Sequence, residues 1–123
     1  MRATNAWVLT LALMLGLGVW PGAASAAGDA AAGAKIFAAR CARCHGPGGK
    51  GDGPDLAKLH PTSSPVNWTN PVVMKKWSDK EILEIITKGG KAVDSSPIMP
   101  PWGGKLTGAQ IQDLLAFIRS LAK

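Results

Sequence analysis

Both cysteines of the chain fall within five residues, Cys41-Ala42-Arg43-Cys44-His45. On one turn of helix, residues three apart differ by about 300° in phase and lie roughly 60° apart around the surface. Both sulfurs therefore face one side, with the His45 imidazole beside them. A disulfide across two intervening residues closes too small a loop to stabilise much. A thioredoxin-like redox pair expects a βαβ context that this sequence lacks. The adjacent histidine selects a third chemistry. C-x-x-C-H is the attachment pattern of a c-type haem, with two thioether links and an imidazole offered to the iron.

The first 26 residues read as a leader. Arg2 precedes an apolar run from Trp7 to Trp20, Pro21-Gly22 breaks it, and Ala24-Ser25-Ala26 supplies a small-x-small cleavage site. The run of 14 residues is shorter than the about 20 needed to cross a bilayer as a helix. The expectation is a cleaved signal peptide at 1–26, export to the periplasm, one domain over 27–123, and no permanent membrane span. Export suits the motif, since covalent haem attachment takes place outside the bacterial cytoplasm. A single domain of this length builds only a modest core from side chains alone, and a buried porphyrin would add apolar area to it.

The chain carries a net charge of +6. Its lysines are scattered, with only Lys75-Lys76 adjacent, and no basic cluster is interleaved with aromatics. This argues against a nucleic-acid surface. It fits a basic surface that attracts acidic protein partners.

Three helices are legible. The first is expected from about Ala30 to Ala42, with Asp29 as its N-cap. The second starts at the capping box Ser78-x-x-Glu81, continues through Ile82, Leu83, Ile85 and Ile86, and stops at Gly89-Gly90. The third starts at Thr107-x-x-Gln110, and Ile111, Leu114, Leu115, Ile118 and Leu121 recur at helical spacing. The segments Gly46 to Pro71 and Pro97 to Gly104 hold too many glycines and prolines for regular elements. Long loops of this kind need a task, and wrapping a flat cofactor is one.

A haem iron with one histidine needs a sixth ligand or keeps an open position. Met99, Met74 and His60 are the candidates. Met99 is preferred, because prolines stiffen its loop Ser96-Pro97-Ile98-Met99-Pro100-Pro101-Trp102 and lower the entropy lost on fixing the thioether. It also follows His45 by 54 residues, enough chain to reach the other face of a haem. Met74 reads as a flexible gap-filler beside a helix start, and His60 as a solvent-exposed histidine. A thioether opposite an imidazole raises the potential, and two filled axial positions leave one-electron exchange as the chemistry. An open site would instead bind a gas or act on peroxide, but no distal His-Arg pair is present to assist it.

These features resemble the class I monohaem cytochromes c, of the small bacterial periplasmic kind, cbb3- and c6-like. The similar pieces are G-x-x-x-F-x-x-x-C-x-x-C-H-G from Gly33 to Gly46, G-x-G-P-x-L from Gly51 to Leu56, M-P-P-W from Met99, and the terminal I-x-D-L-L-A-F-I-R-S-L. The stretch from Lys58 to Val72 departs from the pattern as an insert. The resemblance implies an all-α fold of three to four helices with long loops around one covalently bound haem. It implies a crossing of the first and last helices at Gly33, Phe37 and Phe117. It also implies that the Pro54 carbonyl accepts from the second ring nitrogen of His45. Of the tryptophans, Trp102 is the candidate to hydrogen-bond a haem propionate, while Trp68 and Trp77 read as packing. The function expected is electron transfer between redox proteins rather than catalysis, by a soluble shuttle. A dedicated cytochrome subunit of a periplasmic dehydrogenase or oxidase is the alternative, and a ligand-binding or peroxidatic haem protein ranks below both.

Overall fold

Asp29 starts the first helix by accepting hydrogen bonds from the N–H groups of Ala31 and Ala32 at 2.8 and 3.2 Å. Helix α1 then runs Ala30–Arg40 and buries Gly33 and Phe37. The computed structural model describes residues 27–59 and 65–123, so the leader expected at 1–26 and His60 lie outside the described residues. Four further helices follow in order: α2 (Ala42–His45), α3 (Pro54–Leu59), α4 (Pro71–Met74) and α5 (Asp79–Lys88). After a 3₁₀ turn at Gly90–Val93, α6 (Gly108–Leu121) completes the fold. Among the described residues there is no strand, and the fold is all-α.

Helices α1 and α6 cross at the expected place. A Cβ at Gly33 would lie 2.0 Å from the Asp113 carbonyl oxygen and 2.9 Å from Phe117 Cβ, so only glycine allows this approach. Phe37 packs against Phe117 with ring centroids 5.1 Å apart. The Asp29 N–H also donates to the Asp113 carboxylate at 2.7 Å, tying the start of α1 to α6. Among the described residues, Phe37, Leu114 and Ile118 are the largest fully buried side chains, each contributing about 1.5–3 kcal/mol through removal from water. Both capping boxes form, Ser78 with Glu81 on α5 and Thr107 with Gln110 on α6.

The structure has more helices than the three to four expected. Helices α3 and α4 lie within or beside the stretch read as irregular. Pro54 and Pro71 each occupy a first helical position, where the missing N–H costs nothing and the fixed φ suits the helix. The first helix is also shorter than expected. It stops at Arg40, and Cys41 caps it by donating to the Phe37 carbonyl at 2.8 Å.

One clamp joins the distant pieces. From α6, Arg119 donates to the Met74 carbonyl at 2.9 Å, to the Trp77 carbonyl, and to Asp79 Oδ1 at 2.7 Å. The end of α4, the following turn and the start of α5 are thereby held against the terminal helix.

Candidate functional site

The motif Cys41–His45 straddles a break in the helix. Cys41 is at once the last cap of α1 and the first of α2, and its carbonyl accepts from the N–H groups of Cys44 (3.1 Å) and His45 (2.9 Å). The single turn of α2 brings Cys44 and His45 round beside Cys41. All three line one cleft of about 400 Å³, within the size range of cofactor sites. The walls are mostly apolar, with Leu56, Val66, Ile82, Ile85, Ile86 and Ile98 prominent. Both thiols are free. Burial, and then the neighbouring Cys44, push the Cys41 thiol up to about 11, so it is protonated at neutral pH.

Burial lowers His45 to about 4, so its imidazole is neutral at pH 7, the form that binds metals. Its Nδ1 is buried and has no hydrogen-bond partner among the described residues. Pro54, whose carbonyl the resemblance pairs with this nitrogen, opens α3. Trp68, read from sequence as packing, stacks on the His45 ring at 4.3 Å between centroids and 24° between planes. No local pattern signals this pairing, which joins residues separated by a whole loop.

The Met99 loop forms the opposite end of the chain's contribution to the cleft. Its backbone is docked on the end of α5: Gly90 N–H donates to the Met99 carbonyl (3.0 Å), Trp102 N–H to Ile86 (2.9 Å), and Gly103 N–H to Thr87 (3.0 Å). Gly89 has φ +80, and a Cβ there would lie 2.9 Å from both the Met99 oxygen and the Pro101 nitrogen. Gly89-Gly90, read as a helix stop, is thus also the seat of the Met99 loop. Met99 and Trp102 both line the cleft, and Lys105 Nζ sits 5.2 Å from the Trp102 ring centroid. Met74 lines it too, but it is 3% exposed and belongs to the core cluster with Phe37, Ile82, Ile86 and Leu114. Met74, read from sequence as a gap-filler, packs in the core at the end of α4.

Two thiols, a neutral imidazole with an orphaned buried nitrogen, and a thioether around an apolar cleft are donors of the kinds a covalently bound haem takes. The residues fit that group. A helical domain whose first and last helices cross beside a C-x-x-C-H turn and such a cleft defines a c-type cytochrome. The chain belongs to the family described as cytochrome c oxidase, cbb3-type, subunit III, whose profile matches residues 28–118, and this membership implies covalently bound haem c with its iron. It is 36% identical over 93 residues to the cbb3-type cytochrome c oxidase subunit FixP of Bradyrhizobium sp. (strain ORS 278), covering 76% of this chain and 28% of that one. The chain thus spans little more than a quarter of that relative's length. It is 38% identical over 97 residues to cytochrome c-554(547) of Halothiobacillus neapolitanus, covering 77% of this chain and 99% of that one. It is also 30% identical over 117 residues to cytochrome c6 of a Synechococcus sp., covering 90% of this chain and 86% of that one. Among solved structures it is similar to the KustC0563 c-type cytochrome, with a TM-score of 0.58, 28% identity, and coverage of 74% of this chain and 98% of that one.

Proposed function

We propose that the protein is a periplasmic one-electron carrier, with a single haem bonded to Cys41 and Cys44 and ligated by His45 and Met99. The observation that carries this reading is the convergence of His45 and Met99 on one apolar cleft from 54 residues apart. When bound, the haem supplies an iron that gains and loses one electron. His45 holds a neutral nitrogen lone pair ready, since burial keeps its ring unprotonated. Met99 offers a soft thioether from a loop pinned by backbone hydrogen bonds, and such a ligand raises the potential. The isoleucine-rich wall is apolar and would disfavour the additional charge of the oxidised state. Trp102 offers an indole N–H at the cleft for a propionate. A haem held by both His45 and Met99 would leave no iron position for a substrate, so the chain would exchange electrons and make no bonds.

The leader at 1–26 would be removed on export, which N-terminal sequencing of the purified protein checks. Its partners are other redox proteins, with acidic surfaces facing the net positive charge. Among the described residues no helix is long and apolar enough to cross a membrane. A redox titration should give one wave with n = 1, and the reduced protein should not bind carbon monoxide at neutral pH. Carbon monoxide binding would replace this reading by an open-site haem protein.

The family match favours a second reading, a dedicated cytochrome subunit of an oxidase or dehydrogenase. Purification as a lone monomer with fast electron exchange counts against it, and consistent co-purification with membrane subunits supports it.

A further inference from the structure

We infer that Asp94 is a positioning residue for Met99, the left-handed corner of a closed loop that is organised on Gly90 and carries the thioether to the cleft. The inference rests on the proposed ligation by Met99. A neutral thioether gains no charge attraction from an iron, so a mobile loop would forfeit much of the bond in ordering its backbone. The loop from Gly90 to Met99 has that order built in. Its two ends are bonded to each other, the Gly90 N–H donating to the Met99 carbonyl at 3.0 Å. The Gly90 carbonyl accepts from the N–H groups of Asp94 and Ser95, the latter at 2.8 Å. The returning chain then passes so close that a Cβ on Gly90 would lie 2.0 Å from the Ser96 carbonyl oxygen. The Met99 N–H closes the last turn on that same Ser96 oxygen at 3.3 Å.

The chain returns to Gly90 because it reverses at Asp94. This residue has φ 52° and ψ 29°, and among the described residues it is the only one other than glycine with positive φ. Left-handed backbone suits glycine, is tolerated by aspartate, and is costly for a β-branched side chain. Asp94 is exposed, so a substitution there acts on the turn and not on packing. Gly90 offers a complementary probe. It is buried and its φ is not positive, so alanine suits its backbone and the added methyl acts by wedging against Ser96. Gly104 is the control, with nothing within 4 Å of an added Cβ.

The test uses the oxidised holoprotein, with each variant checked for haem content and for the methionine-to-iron charge-transfer band. Each is then titrated with imidazole, which competes with Met99 for the iron. Asp94→Gly and Gly104→Ala should keep the wild-type imidazole affinity. Asp94→Val should bind imidazole about tenfold more tightly, the equilibrium equivalent of a strained left-handed corner, and Gly90→Ala should shift in the same direction. Thr107→Ala removes the cap of α6 and lowers global stability, yet should leave imidazole affinity unchanged. Wild-type affinity in Asp94→Val, or an equal rise in Thr107→Ala, would overturn the inference. If Gly90→Ala does not load haem, the two Asp94 variants decide. A wild-type protein that lacks the charge-transfer band would contradict ligation by Met99 itself, a separate result under which the positioning role also falls.

Discussion

Arg119 holds three backbone or carboxylate oxygens at once, and two of them, the carbonyls of Met74 and Trp77, belong to residues that line the cleft. Its side chain is 31% exposed, so the ion pair with Asp79 contributes little on its own, and the bonds to the two carbonyls dominate. Charge-assisted hydrogen bonds of this kind are worth about 1.5–3 kcal/mol each before relaxation. Replacing Arg119 by glutamine should destabilise the protein by about 2 kcal/mol in denaturant titration. Lysine should restore only part of this, because a single ammonium cannot span the fork. The cysteines, His45 and Met99 were legible in the sequence because their pattern is local: a five-residue motif, and a methionine between prolines. Trp68 and Arg119 were not. Each acts through a partner far along the chain, and neither position carries a local signal that distinguishes it from packing or from a solvated charge.

At the scale of elements, the two capping boxes were legible for the same reason, since cap and partner stand three residues apart. In α5, Glu81 accepts from the Ser78 hydroxyl at 2.7 Å and from its backbone N–H at 2.8 Å. These bonds, the hydroxyl first, hold its carboxyl below the ordinary 4.5. A carboxyl with a lowered folded-state value stabilises the fold above its unfolded value and loses that contribution as pH falls through the folded one. The Tm difference between wild type and Glu81→Gln should therefore be present at neutral pH and shrink below about pH 4.5, as thermal melts across pH 3–7 will show. The α1–α6 crossing makes a stronger demand. Gly33→Val would push a side chain into the Asp113 carbonyl and Phe117, and should cost several kcal/mol or prevent accumulation of the holoprotein, read from denaturation and haem yield. Helices α3 and α4 were missed because each is six residues or fewer. No periodicity can emerge over such a length. Their prolines, counted as breakers, are helix starters in this context.

The whole chain carries a net charge of +6, or +5 once Arg2 leaves with the leader, and an apolar cleft lined by the motif turn and the Met99 loop. Screening reaches about 30 Å at 0.01 M salt and about 10 Å at 0.1 M. Electron exchange with an anionic reagent such as ferricyanide should therefore slow as salt rises over that range, and exchange with a cationic cobalt complex should quicken. Stopped-flow rates that ignore salt for both reagents would mean that the positive charge lies away from the site of exchange. The helical class was legible in the caps and the apolar periodicity of α5 and α6, and the cofactor in one motif. The walls of the cleft were not, because Leu56, Val66 and the α5 isoleucines converge only once the chain is folded around them.

The central claim is that Met99, and not the more deeply buried Met74, closes the iron's second face. The optical spectrum of the oxidised protein near 700 nm tests this most directly, recorded for wild type, Met99→Ala and Met74→Ala. The predicted result is a methionine-to-iron charge-transfer band in wild type and Met74→Ala that is absent from Met99→Ala. A band that survives Met99→Ala and disappears with Met74→Ala would contradict the account.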